Sequence, residues 1–206
     1  MNIELLAEQI AQRVARHGHG LVITESAFLA CARYLSELSR WNQRINLTAL
    51  PLAFPISDAT IDKLIVEPLV ATTLLPSASR VWVDLGSGGG SPAVPLRTVW
   101  RGGSLTMVES RERKCSFLRE AVRQVGLSNT KVETGRFEAL HREGQAELVT
   151  IRAVKVDDQM SQLLGGLVAP RGFLLAFGSM LNDDAFTLES QALLPDGSKL
   201  TLFRRL

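Results

Sequence analysis

The chain has 206 residues, 46% of them hydrophobic, which suffices for one ordinary α/β core with a small helical appendage and not for two full domains. Its 23 basic and 21 acidic residues nearly cancel to a formal charge of +2, with an isoelectric point near 8.7, so bulk charge does not mark a nucleic-acid binder; any basic surface must come from local clustering. Cys31 and Cys115, the two cysteines, form no C-x-x-C pair, which argues against a disulfide framework or a zinc centre and reads as two buried thiols.

The N-terminus lacks the basic-then-apolar layout of a signal peptide, and no apolar run approaches the roughly 18 residues of a membrane span. A cytoplasmic protein is therefore expected, with no membrane and no metal among its partners.

From Met1 to Arg16 the apolar residues Ile3, Leu6, Ile10 and Val14 recur at helical spacing, and His17-Gly18-His19-Gly20 ends the pattern. Two histidines beside glycines, with no third ligand, read as a helix end rather than a metal site. A second helix is expected from an N-cap at Thr24, turning Phe28, Leu29, Leu35 and Leu38 inward. Ser57 can cap a third that reaches about Leu75 and bends at Pro68. These helices form an N-terminal appendage over residues 1–76, and Pro76-Ser77-Ala78-Ser79 reads as the linker to a main domain over 77–206.

Beyond the linker, short apolar strands alternate with helices, the pattern of a mostly parallel sheet. Strands are expected near Arg80–Leu85, Ser104–Glu109, Thr130–Glu133, Leu148–Ile151 and Gly172–Phe177, with helices at Pro92–Arg101, Arg111–Val125 and Asp157–Val168. Gln191–Leu194 and Lys199–Arg204 flank the turn sequence Pro195-Asp196-Gly197-Ser198, so an antiparallel hairpin ends the sheet.

Val81-Trp82-Val83-Asp84-Leu85 runs directly into Gly86-Ser87-Gly88-Gly89-Gly90, with Pro92 where the next helix starts. Glycines let the backbone turn sharply and let a ligand approach without meeting a Cβ. Exposed N–H groups at the helix start favour an electron-rich ligand. Glu109 ends the second strand, where an acidic side chain accepts hydrogen bonds from the ribose hydroxyls of a nucleotide. Dinucleotides such as NAD use the same sheet and acidic position. Against NAD, the loop reads G-x-G-G-G, with Ser91 three positions beyond Gly88, and Asp84 stands two residues before the first glycine. There it can accept bonds from the loop backbone or from a cationic amino-acid ligand.

With these features in place, the sequence resembles the bacterial small-subunit rRNA guanine-N7 methyltransferases, also called glucose-inhibited division protein B. Trp41-Asn42-Gln43-Arg44-Ile45-Asn46-Leu47-Thr48 is similar to the family's W-N-x-x-x-N-L-T segment, and Asp84 to Leu96 to its glycine- and proline-rich cofactor motif. Arg136-Phe137-Glu138 and Ile151-Arg152-Ala153 resemble segments that follow its third and fourth strands. The resemblance implies a Rossmann-like class I methyltransferase sheet, mostly parallel with a C-terminal antiparallel hairpin and preceded by N-terminal helices. It further implies S-adenosyl-L-methionine as cofactor, ribosomal RNA or the small ribosomal subunit as partner, and a monomer. The cofactor-binding residues it implies are Asp84, Gly86, Ser87, Gly88, Ser91, Glu109, Phe137, Glu138 and Arg152, with Arg152 and Arg136 placed at the reaction. Three positions depart from the pattern: Leu64 stands for a histidine, Ala93 for a glycine, and Phe177 for a lysine. RNA contact is expected from Arg33, Arg40 and Arg44 with Trp41, from the basic residues of 111–123, and from Arg204 and Arg205. His141 is assigned no role.

Overall fold

A computed structural model describes residues 2–18, 20–76, 81–136, 144–178, 181 and 183–206, which fall into two units. The helical unit comprises Met1–Thr73, Gly88–Arg101 and Arg111–Ser128, and the sheet unit comprises Leu74–Ser87, Gly102–Ser110 and Asn129–Leu206.

In the helical unit, α1 (Ile3–His17) starts where the Asn2 side chain accepts the Leu5 N–H, and it buries Leu6, Ile10 and Val14. Thr24 caps α2 (Glu25–Asn42), as its position before the apolar pattern predicts. This helix buries Cys31, Tyr34, Leu35 and Leu38, whereas Phe28 and Leu29 are only half-buried. Both thiols are buried, and burial pushes Cys31 up to about 12, so it stays a neutral packing group.

Ser57 caps α3 (Asp58–Ile61), but the expected single helix bent at Pro68 is wound differently. A π turn at Asp62–Val66 precedes α4 (Glu67–Val70), and a 3-10 turn at Ala71–Thr73 follows. Pro68 has no N–H to give the Leu64 carbonyl four residues back. That carbonyl instead accepts the Ser91 hydroxyl at 2.9 Å. Arg13 of α1 anchors the segment through ion pairs to Asp58, at 2.9 Å, and to Asp62. The unit is completed by α5 (Ala93–Val99) and α6 (Glu112–Val125).

The sheet unit contains β1 (Val81–Leu85), β2 (Ser104–Glu109), β3 (Thr130–Thr134), β4 (Ala146–Arg152), β5 (Val168–Phe177), β6 (Phe186–Leu193) and β7 (Lys199–Arg205). Their order is β3-β2-β1-β4-β5-β7-β6, the first five parallel and β7 antiparallel to both neighbours. The near-continuous apolar runs of β1 and β4 are those of parallel strands covered on both faces. Val83, Leu85, Val108, Val149 and Ile151 form one core with Met160, Leu164 and Leu167 of α7 (Asp158–Leu167). The terminal hairpin forms about the expected turn, where the Leu194 N–H reaches the Ser198 carbonyl at 2.9 Å. Its first strand begins at Phe186 rather than at Gln191. Most side chains of this edge strand are exposed, so residues 186–190 carry little apolar alternation to signal a strand.

Among the described residues no helix is long and apolar enough to cross a membrane. Nor do they contain a cluster of three or more His, Cys, Asp or Glu side chains able to hold a metal ion.

Candidate functional site

Strand order reverses between β1 and β4, and in open α/β sheets ligands bind beyond the carboxyl ends of the strands at such a point. The register pairs Leu85 with Val108 on one side and Ile151 on the other. The residues that follow these three, Gly86, Glu109 and Arg152, therefore emerge side by side at the carboxyl edge. Gly86 turns the chain at φ +68°, a left-handed conformation that costs other residues roughly 1–2 kcal/mol. The turn is closed by the Ser87 N–H donating to the Val108 carbonyl at 3.0 Å and the Ser87 hydroxyl donating to the Asp84 carbonyl at 3.1 Å.

Asp84 is buried beneath this turn. Its Oδ1 accepts the Thr150 hydroxyl, whose oxygen in turn accepts the Trp82 indole N–H at 3.0 Å. Oδ2 has no hydrogen-bond partner among the described residues. Burial pushes the carboxyl up to about 6, while the nearby Ser87 and Thr150 hydroxyls and the charge of Arg152 pull the other way. A buried, unmatched carboxylate oxygen at a ligand-facing turn suits a ligand that brings hydrogen-bond donors.

Glu109 is also buried, with its carboxylate 3.4 Å from the Ser110 hydroxyl and its carbonyl accepting the Gly135 N–H at 3.0 Å. Arg136, the next residue after Gly135, is exposed. Arg152 is half-buried, and its guanidinium carbon lies 4.8 Å from the ring centroid of Phe177, its partner in the β4–β5 register. Ala153 then turns the chain at φ +55°, outside the region most non-glycine residues occupy. Phe137 and Glu138, like His19 and His141, lie outside the described residues.

Gly88 and Ser91 belong to the helical unit, which shapes the second half of the glycine loop. Gly88 has φ +52°. The Tyr34 hydroxyl donates to the Gly89 carbonyl at 2.6 Å, and a Cβ on Gly89 would lie 3.0 Å from the Leu47 carbonyl oxygen. Asn42 holds that carbonyl's segment in place: its Oδ1 accepts the N–H groups of Leu47 at 2.8 Å and Thr48 at 3.1 Å, and its Nδ2 donates to the Thr48 carbonyl at 3.1 Å. Asn42 and the Leu47 carbonyl of the W-N-x-x-x-N-L-T segment thus form the seat of Gly89.

Sequence reasoning missed three residues: Tyr34, Asn42 as a loop organiser, and Thr150. Gly89 carried the one available signal, since a glycine beside two others invites the question of what occupies the space of its side chain.

Parallel strands in this order, an antiparallel hairpin at one end, and a glycine turn over buried carboxylates at the switch point define the Rossmann-like methyltransferase fold. Solved structures agree on that fold. An S-adenosylmethionine-dependent methyltransferase from Aquifex aeolicus superposes with a TM-score of 0.58 at 9% identity, over 73% of this chain and 94% of its own. The PH0226 protein from Pyrococcus horikoshii OT3 gives 0.58 at 15% identity, over 81% and 99%. Residues 29–202 match the family model described as rRNA small subunit methyltransferase G, and the chain belongs to that family. The ribosomal RNA small subunit methyltransferase G of Stenotrophomonas maltophilia is 40% identical over 146 residues, 70% of this chain and 65% of the relative, just under two thirds of its length. The protein of the same description from Xanthomonas oryzae pv. oryzae is 34% identical over 200 residues, 96% of this chain and 88% of the relative.

Proposed function

We propose that this chain is an S-adenosyl-L-methionine-dependent methyltransferase acting on guanine N7 of small-subunit (16S) ribosomal RNA. The observation that carries the reading is the juxtaposition of Asp84, Gly86, Glu109 and Arg152 at the switch point of a sheet belonging to this family. The cofactor, when bound, supplies a methyl group already activated by its sulfonium sulfur.

The chain's own work is binding and orientation. Glu109 accepts from ribose hydroxyls, and the unmatched Oδ2 of Asp84 receives donors from the loop or from the ligand's amino group. Gly86 and Gly88 keep side chains out of the ligand's path while Ser87 closes the turn onto Val108, and Ser91 stands at the start of the following helix. Arg152 pairs with the ligand's carboxylate or positions the substrate, Phe137 covers a face of the adenine, Glu138 contacts the cofactor, and Arg136 faces RNA phosphate. Guanine N7 carries a free lone pair in the ring plane, so no proton is removed before attack and no general base is assigned. Rate enhancement then comes from alignment of nucleophile and methyl group and from an environment matched to the moving charge. The reading includes a monomer, and a ribosomal RNA target implies a cytoplasmic protein.

A second reading keeps the chemistry and changes the target. It is favoured by Phe177, which fills a position where the family has a lysine and packs its ring against Arg152. Incubation with labelled S-adenosylmethionine and undermethylated ribosomal RNA separates the two, with label expected on the RNA. Tight NAD binding with no affinity for S-adenosylhomocysteine overturns both, and cofactor binding without transfer to ribosomal RNA overturns the first.

A further inference from the structure

We propose that a cavity at the C-terminal end of α2 is a docking subsite for single-stranded RNA, holding phosphates on Arg44 and Arg113 and a base on Trp41. This rests on the reading that the chain acts on RNA and adds where the strand is gripped. The cavity has a volume of about 450 Å³ and is lined by Arg40, Trp41, Arg44, Ile45, Arg113 and Ser116, all within the helical unit.

The charges in it are not equivalent. Arg40 is committed to Glu37 at 2.5 Å and lies 4.0 Å from Glu120. Arg44 and Arg113 are exposed and have no ion pair among the described residues. Two unneutralised guanidiniums facing one cavity repel each other, and a phosphate between them relieves that repulsion while matching their planar donor geometry.

Trp41 supplies what a plain basic face lacks. Phe117 meets it in an edge-to-face contact, with centroids 6.0 Å apart and planes at 62°, which fixes the indole on one side. It is half-buried and lines the cavity with its remaining surface. A fixed aromatic platform beside free arginines is the combination that binds unpaired bases, since every base has a π face and the backbone carries the charge. An acidic peptide matches the arginines but leaves the indole unused, and duplex RNA keeps its bases stacked inside. A second cavity of about 660 Å³ shares Arg40 and reaches Phe54, an aromatic side chain 47% exposed. The surface therefore continues from one aromatic group to another, as a strand of several nucleotides requires.

The test is fluorescence anisotropy of a short labelled single-stranded RNA, titrated at several salt concentrations with the parent chain, the double variant Arg44→Ala/Arg113→Ala, and Trp41→Leu. Loss of two phosphate contacts lowers the slope of log affinity against log salt by about 1.4. Loss of one stacked base weakens binding between about 5-fold and about 150-fold, with little change in that slope. Affinity for S-adenosylhomocysteine stays at the parent value in the double variant, whose changes are at exposed positions, and Trp41→Phe, which keeps a ring against Phe117, recovers part of the RNA affinity. Unchanged RNA binding in the double variant and in Trp41→Leu overturns the proposal. So does equal competition by polyglutamate or by duplex RNA, which would leave only a general anion patch or a duplex site. RNA binding through these residues without methyl transfer refutes the enzymatic reading and leaves the subsite standing. Methyl transfer with an unaltered KM for RNA in every variant does the reverse.

Discussion

Asp84→Asn tests whether the unmatched carboxylate under the glycine turn is built for a ligand at the expense of stability. Burial raises this carboxyl to about 6, from the ordinary aspartate value of about 4. A carboxyl raised in the folded state binds more protons folded than unfolded, so its contribution to stability is whole below the unfolded value and is lost as pH rises through the folded one. A rise of about two pH units, at 1.36 kcal/mol each, removes about 3 kcal/mol between roughly pH 4 and pH 7. Asparagine does not ionise and escapes this loss. Its amide brings a donor to the place of Oδ2, which offsets part of the gain by about 1–3 kcal/mol at every pH. The expectation is therefore a difference in melting temperature between variant and parent that moves in the variant's favour by about 6 to 12 °C from pH 4 to pH 7. Thermal unfolding of both proteins across that range reads it directly, because other titrating groups cancel in the difference. A difference independent of pH would refute the reasoning. In the same samples, S-adenosylhomocysteine affinity of the parent rises with pH through about 6, while that of the variant stays flat and weak.

At the carboxyl edge, Glu109→Gln and Arg152→Ala should each weaken S-adenosylhomocysteine by about tenfold or more, as expected for charge-assisted hydrogen bonds, with the melting temperature little changed; calorimetric titration measures it. Replacing Phe177 by leucine removes the ring 4.8 Å from the Arg152 guanidinium and should cost about 0.5–1 kcal/mol of cofactor affinity, read in the same titration. Asn42→Ala deletes three hydrogen bonds that hold the 42–48 segment, and urea unfolding should show a loss of about 2–3 kcal/mol. Gly89→Ala drives a methyl to 3.0 Å from the Leu47 carbonyl and should destabilise by about 1–3 kcal/mol in the same assay; a neutral result would mean that the 42–48 segment yields freely.

Much of the fold could be read from short windows because the physics behind those features is short-range. Thr24, Ser57 and Asp157 each satisfy a backbone N–H three residues ahead, so helix starts are visible wherever such a residue precedes an apolar periodicity. Apolar runs of strand length, separated by helices, are enough to specify a parallel sheet, and the glycines after β1 announce a turn that a ligand can approach. Glu109 was legible for the same reason, since its place at the end of the second strand follows from counting along the chain.

Where the reading fell short, the deciding partner lies far away in sequence. Pro68 was expected to bend a helix; a turn of π-helix took its place, and the carbonyl freed at Leu64 is taken up by Ser91, 27 residues on. The hydroxyl on Asp84 comes from Thr150, 66 residues away, and the one on the Gly89 carbonyl comes from Tyr34, 55 residues away. Phe177 meets Arg152 only because β4 and β5 pair in one register, and β6 is a strand through its ladder to β7 rather than through its own alternation. By itself, the sequence determined which segments are helices and strands, where the chain turns on glycine, and which acidic residues end the strands. Tertiary structure alone decided which of those residues are deprived of water, and therefore that Asp84 carries an oxygen unmatched among the described residues and that Trp41 stands beside Arg44 and Arg113. Desolvation depends on atoms gathered from the whole chain, and no local window contains them.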